Sequence, residues 1–165
     1  MGIEPGQPCT PVDSVRGILG RATKVGIAMS RTIAYNERNP NRSYAECSMW
    51  ERVFLTESAT FETDTYLDVD ASVTYSHQAM FTAEGMVKKV VGAGSKYLAA
   101  YKDGDGNWLD GDKSYSLHVN PNVPVEDFWS VMVYDAETRS MIVNDQVPGR
   151  DSNDELKTNP DGSVD

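Results

Sequence analysis

The stretch Asp127–Asp135, "DFWSVMVYD", decides the fold. Trp129, Val131 and Val133 alternate with Phe128, Met132 and Tyr134, so a strand here is apolar on both faces. Such a strand needs cover on both sides. An opposing sheet supplies one cover. The other is open between the N-terminal helices and a partner outside this chain.

Neighbouring segments repeat the two-residue period. In "SYSLHV", Tyr115, Leu117 and Val119 alternate with Ser114, Ser116 and His118. "SKYLAAYK" puts Tyr97, Ala99 and Tyr101 on one face and Leu98 and Ala100 on the other. "SMIVNDQV" extends the series, and the polar tail "RDSNDELKTNPDGSVD" turns at Asp161-Gly162.

Between two of these runs lies "YKDGDGNWLDGDKSY", Tyr101–Tyr115, which has the look of a calcium loop. An EF-hand loop needs Gly at its sixth position and Glu at its twelfth. Counted from Asp103, those positions hold Trp108 and Ser114. Asp-Gly-Asp-Gly-Asn between alternating runs is hairpin chemistry instead, since Gly and Asn tolerate positive φ.

Upstream the period is helical. Val12, Val15, Ile18, Leu19, Ala22, Val25, Met29 and Ile33 predict an amphipathic helix from Pro11 to Tyr35, with Arg16, Arg21 and Lys24 off the stripe. Thr10 with Asp13 three residues on, and Pro11 between them, reads as its capped start. "NERNPNRS" ends it. Trp50, Val53, Phe54 and Leu55 suggest a short buried segment. Val69, Val73, His77 and Met80 predict a second helix, capped by Asp68 or Asp70, and Thr82-Ala83-Glu84 starts a further turn.

Bulk properties narrow the partners. The 165 residues carry a net charge of −10 and 39% hydrophobic side chains. An acidic surface without a Lys/Arg cluster repels phosphate backbones, so nucleic acid is not the expected partner. No apolar run approaches the roughly 20 residues that span a bilayer. Met1 to Pro5 has no secretory leader pattern, and Gly6 stands where a myristoylation motif wants Ser or Thr. Cys9 and Cys47 form one disulfide or remain two thiols, which leaves the compartment open. Asn41-Arg42-Ser43 is a glycosylation sequon, relevant only in a eukaryotic secretory route.

Ordered motifs then tie the second half together. They are Leu109-Asp110-Gly111, then Tyr115, Leu117 and His118, Pro121-Asn122-Val123-Pro124 and Asp127-Phe128-Trp129-Ser130. Val133-Tyr134-Asp135, Thr138-Arg139-Ser140-Met141, Asn159 and Asp161-Gly162-Ser163-Val164-Asp165 follow. With these, the chain closely resembles the C-terminal domain of the DUF1254/DUF1214 family, mostly bacterial proteins of unknown function. "GIEPGQP" and the first helix resemble the family's preceding helical segment. Asp112, Asn120 and Val147-Pro148 depart from its usual turn residues.

The resemblance implies an α+β chain. Residues 1–93 form a mostly helical segment, and 94–165 part of an antiparallel jelly-roll-like β-sandwich. Family members usually carry a preceding immunoglobulin-like domain and further strands after the matching stretch. The expectation is therefore a fragment that is marginally stable, oligomeric or aggregation-prone. Its expected partner is the missing N-terminal domain or another subunit, held through an exposed apolar sheet face; a small polar ligand is the other. The family implies an envelope or secreted parent.

Chemistry-bearing residues are few. His118 with Asp110 or Asp112 is a candidate acid/base pair, though a sheet histidine satisfied by hydrogen bonding is the plainer reading. His77 reads as a partly buried helix residue. Arg139 is a candidate anion binder, or a fork tying its turn through Asp135 or Glu137. Trp129 and Tyr134 form a candidate sugar platform, or pack. Cys9, Cys47, His77 and His118 are too scattered for zinc, so no metal is expected, nor any cofactor. In "GAGSK" the Lys follows Ser and precedes a strand, unlike a phosphate loop, and no Gly-x-Ser-x-Gly elbow occurs. A non-catalytic binding or structural module is the leading reading. An enzyme using His118 and a carbohydrate-binding jelly roll are its rivals.

Overall fold

In chain order the elements are helix α1 (Asp13–Tyr35), strand β1 (Trp50–Arg52), helix α2 (Val69–Ala79) and the single turn α3 (Glu84–Val87). Strands β2 (Leu98–Ala100), β3 (Ser130–Met132) and β4 (Gly149–Asp151) follow. The computed structural model describes residues 5–36, 38–88, 90 and 92–165. The leader and myristoylation readings draw on Met1 to Glu4, which lie outside the described residues, together with Pro5 and Gly6. The chain divides into two compact units, Met1–Leu109 and Asp110–Asp165.

In the first unit α1 begins later than its sequence signature predicts. Val12 is the N-cap residue, its φ of −60° and ψ of 155° are extended, and no side chain caps the helix. Thr10 sits two residues too early to reach the free amides of the first turn. Along most of α1 the apolar side chains are exposed: Ile18 at 55%, Val25 at 57% and Met29 at 56%. Val15 and Leu19 are half-buried, and in the last turn Ala34 is buried and Tyr35 lies edge-on to His77 of α2. α2 starts as its sequence predicts, with the Asp68 carboxylate accepting from the Ala71 amide at 2.9 Å.

Tyr75 of α2 is buried to 1% exposure and centres an aromatic cluster. Phe54 stacks on it at 4.4 Å, and Phe61 meets it edge-on at 5.3 Å. Tyr97 meets Phe54 at 5.8 Å. Each such pair adds about 0.5–1.5 kcal/mol beyond burial. The sheet of this unit is antiparallel β1–β2, with Trp50 opposite Ala100 and Arg52 opposite Leu98. Beyond it, Lys102 bridges to Trp108 across a tight turn. Asp103 closes that turn, its carboxylate accepting from the Asp105 and Asn107 amides at 3.1 and 2.9 Å, and Gly106 supplies a φ of +84°. The hairpin reading of the calcium-like stretch is the observed one. No cluster of three or more metal-ligating side chains occurs among the described residues.

The second unit carries an antiparallel β3–β4 pair in which Ser130 opposes Asp151 and Met132 opposes Gly149. Regular pairing is shorter than the sequence alternation. "DFWSVMVYD" is strand only at Ser130–Met132, extended by the exchange between the Ser152 amide and the Trp129 carbonyl at 2.9 Å. "SYSLHV" forms no ladder. Among the described residues its one β-bridge is at Val119, which pairs with Val164. "SMIVNDQV" contributes one bridge, Met141 to Tyr134, and β3 pairs instead with Gly149–Asp151. Alternation records which face a side chain takes, whereas a strand also needs a neighbour to accept its amides. Cys9 and Cys47 are exposed free thiols.

Candidate functional site

The C-terminal turn gathers a hydrogen-bonded polar array around His118. Val119 and Val164 exchange both backbone hydrogen bonds, at 2.8 and 3.0 Å, which sets His118 beside Asp165. His118 Nδ1 lies 2.7 Å from an Asp165 carboxylate oxygen. Asn159 donates from Nδ2 to the other Asp165 oxygen at 2.7 Å and to the Ser163 hydroxyl at 3.0 Å. Ser163 is 1% exposed, and its amide and hydroxyl both donate to Asp161, at 3.0 and 2.7 Å. Gly162, at a φ of +86°, lets the chain reverse between them.

These bonds tune the carboxylates. Ser163 donors hold Asp161 below the ordinary carboxylate range. Asn159 first, and His118 after it, do the same for Asp165. An ionised carboxylate only accepts, so beside Asp165 a neutral His118 ring carries its proton on Nδ1 and has its lone pair on Nε2. Such a histidine can accept a proton or a hydrogen bond. Both side chains are about half exposed, 51% for His118 and 53% for Asp165, so the pair works in a watery, screened setting.

The carboxylate beside His118 is therefore Asp165, not Asp110 or Asp112. Asp110 organises its own turn: its amide donates to the Tyr115 hydroxyl at 2.8 Å and its side chain accepts from the Asp112 amide at 3.1 Å. Arg139 occupies a left-handed φ of 57°. Its amide donates to the Asp135 carbonyl at 2.8 Å, and its guanidinium donates to the Glu137 backbone carbonyl. The Asp135 carboxylate accepts from the Glu137 and Thr138 amides at 3.0 and 2.7 Å, completing the turn. Trp129 is half-buried with its amide on Ser152, while Tyr134 is 55% exposed. His77 is buried at 6% exposure in the first unit, on its helix as its spacing predicts. Asn159 and Asp165 were not singled out as site residues, although the motif set carrying the family resemblance contains them both.

Described residues of the first unit line two clefts among others. One, of about 420 Å³, runs along the start of α2 past the Arg38–Asp70 ion pair. The other, of about 310 Å³, is lined by Tyr35, Tyr101, Lys102 and the Arg42–Glu51 pair, whose charged atoms are 3.7 Å apart.

Fold and site together define a mixed α+β protein with small antiparallel sheets and a hydrogen-bonded His–Asp–Asn array on its second unit. Residues 94–165 match the family described as protein of unknown function (DUF1214). No curated protein matches the chain. Among the described residues no helix is long and apolar enough to cross a membrane.

Proposed function

We propose that residues 94–165 are a non-catalytic binding or structural module. In this reading it is a DUF1214-type β-sandwich part of a larger, DUF1254/DUF1214-like protein, completed by another domain or subunit. One observation carries this reading. Among the described residues of Asp110–Asp165, no apolar side chain is buried, and Ser163 is the sole buried residue. Phe128 is 54% exposed, Val133 53%, Met141 51% and Val143 98%. Beside a two-stranded sheet, such side chains and open strand edges call for a covering partner.

Hydrogen exchange on this chain, followed across protein concentration, tests the reading. In dilute monomer the α2 amides are expected to be protected and those around β3–β4 to exchange nearly freely. Protection of β3–β4 is expected to rise only with association. A dilute monomer whose two units are protected alike would refute the proposal.

The His118–Asp165 contact of 2.7 Å favours a second reading, an enzyme of unknown reaction with His118 as proton acceptor. Turnover of any substrate that vanishes in His118→Ala and in Asp165→Asn, with the fold intact, would establish it over the first.

A further inference from the structure

We propose that α1 is an interfacial anchor, a helix that lies on an anionic lipid bilayer with its apolar stripe in the acyl boundary. The inference stands apart from the function proposed for residues 94–165.

α1 has the parts such a helix needs. At 3.6 residues per turn, Val15, Ile18, Leu19, Ala22, Val25 and Met29 fall within an arc of roughly 120°. Of these, Ile18, Val25 and Met29 are more than half exposed. α1 meets α2 near its end, where Tyr35 lies edge-on to His77; N-terminal to that turn Val15 and Leu19 are half-buried, while among the described residues Ile18, Val25 and Met29 keep the rest of the stripe open. The cations are placed as a headgroup layer requires. Arg16 and Arg21 fall on opposite edges of the stripe, where their aliphatic stems can lie along apolar surface with the guanidinium outward. Lys24 lies on the opposite, polar face.

Charge selects the occupant. α1 holds Arg16, Arg21, Lys24 and Arg31 against the lone acid Asp13, a net +3 in a chain of −10. A basic amphipathic helix in an otherwise acidic protein is complementary to an anionic surface. Pairing with a second α1 is disfavoured, because the stripe-edge arginines of both copies would then face one another, and like charges at those positions repel. The acidic remainder is repelled by the same lipid, but beyond a Debye length of about 8 Å that repulsion is screened.

The test is co-sedimentation of the full chain with vesicles of phosphatidylcholine alone and of phosphatidylcholine with phosphatidylserine. Binding to the anionic vesicles is expected, weakening as salt rises. The two stripe-edge arginines near the surface predict roughly thirtyfold weaker partitioning onto the neutral vesicles. Ile18→Glu with Val25→Glu is expected to abolish binding. Arg16→Gln with Arg21→Gln and Lys24→Gln is expected to reduce it to the neutral-vesicle level with the stripe untouched. Far-UV helicity and melting of both variants show whether the fold survives. Equal binding to both vesicles, no binding to either, or undiminished binding of a folded Ile18→Glu, Val25→Glu chain would each overturn the proposal. So would self-association erased by that double variant in the absence of lipid binding, which would assign the stripe to a second copy.

Discussion

Tyr75 concentrates the stability of the first unit in one side chain. Its ring is buried among Phe54 and Phe61, and its buried hydroxyl has no hydrogen-bond partner among the described residues. Desolvation pushes the phenol up to about 12. The sign of the pH dependence follows. Below the ordinary value of 10.0, folded and unfolded chains are both neutral at this group. Between 10.0 and about 12 the unfolded chain ionises and the folded one does not, so stability falls as pH rises. Tyr75→Phe keeps the ring, removes the stranded hydroxyl and abolishes that alkaline loss. It is expected to be neutral or stabilising by about 1 kcal/mol in urea melts at neutral pH. Tyr75→Ala empties the cluster and is expected to cost about 3–5 kcal/mol. A strongly destabilised Tyr75→Phe would show that the hydroxyl is satisfied after all.

At the scale of elements, the C-terminal turn and the β3–β4 pair depend on different physics. Asp161 and Asp165 are both held below 3.8 by hydrogen bonds made only in the folded turn. A lowered carboxylate favours the fold above its unfolded value, and this contribution disappears as pH falls through the folded one. The Val119 and Val164 amides are expected to lose exchange protection on acidification below about pH 4, before α2 does. Asp165→Asn with Asp161→Asn should remove that acid dependence. The β3–β4 pair depends on space. A Cβ at Gly149 would stand 2.5 Å from the Val131 carbonyl oxygen and 2.1 Å from Met132 Sδ. The methionine can swing away and the backbone cannot, so Gly149→Ala is expected to break the pairing, visible, at protein concentrations where association protects β3–β4, as free exchange of the Val133 amide, which donates to the Pro148 carbonyl.

How legible each element was follows from how local its causes are. α2 was readable because its cap and its stripe lie within a dozen residues: Asp68 beside the helix, then Val69, Val73 and His77. The Asp103 turn was readable for the same reason. The start of α1 was misread because a matching local signature, Thr10 to Asp13, was not used by the backbone. The strands came out short because their pairing is not local. β3 finds its partner at β4, beyond "SMIVNDQV". His118 finds its bonded carboxylate in Asp165, 47 residues away, where local spacing points instead to Asp110.

Across the whole molecule the exposed apolar surface is the dominant fact. Both the α1 stripe and the β3–β4 surroundings present large apolar side chains to solvent. Contiguous patches of this kind mark interaction surfaces or aggregation sites. A chain stabilised by covering them gains stability by mass action, so its melting temperature should climb with protein concentration. A concentration-independent, reversible melt of a monomer would contradict this.

The sequence by itself determined the periodicities, the turn chemistry, the acidic balance and the likeness that runs through its second half. Each of these is written in neighbouring residues. Tertiary structure alone decided which alternating runs became paired strands, which carboxylate stands beside His118, and how much of the α1 stripe is covered. Those outcomes depend on whether a distant backbone or side chain arrives to satisfy an amide, an imidazole or an apolar face, and sequence spacing carries no record of that arrival.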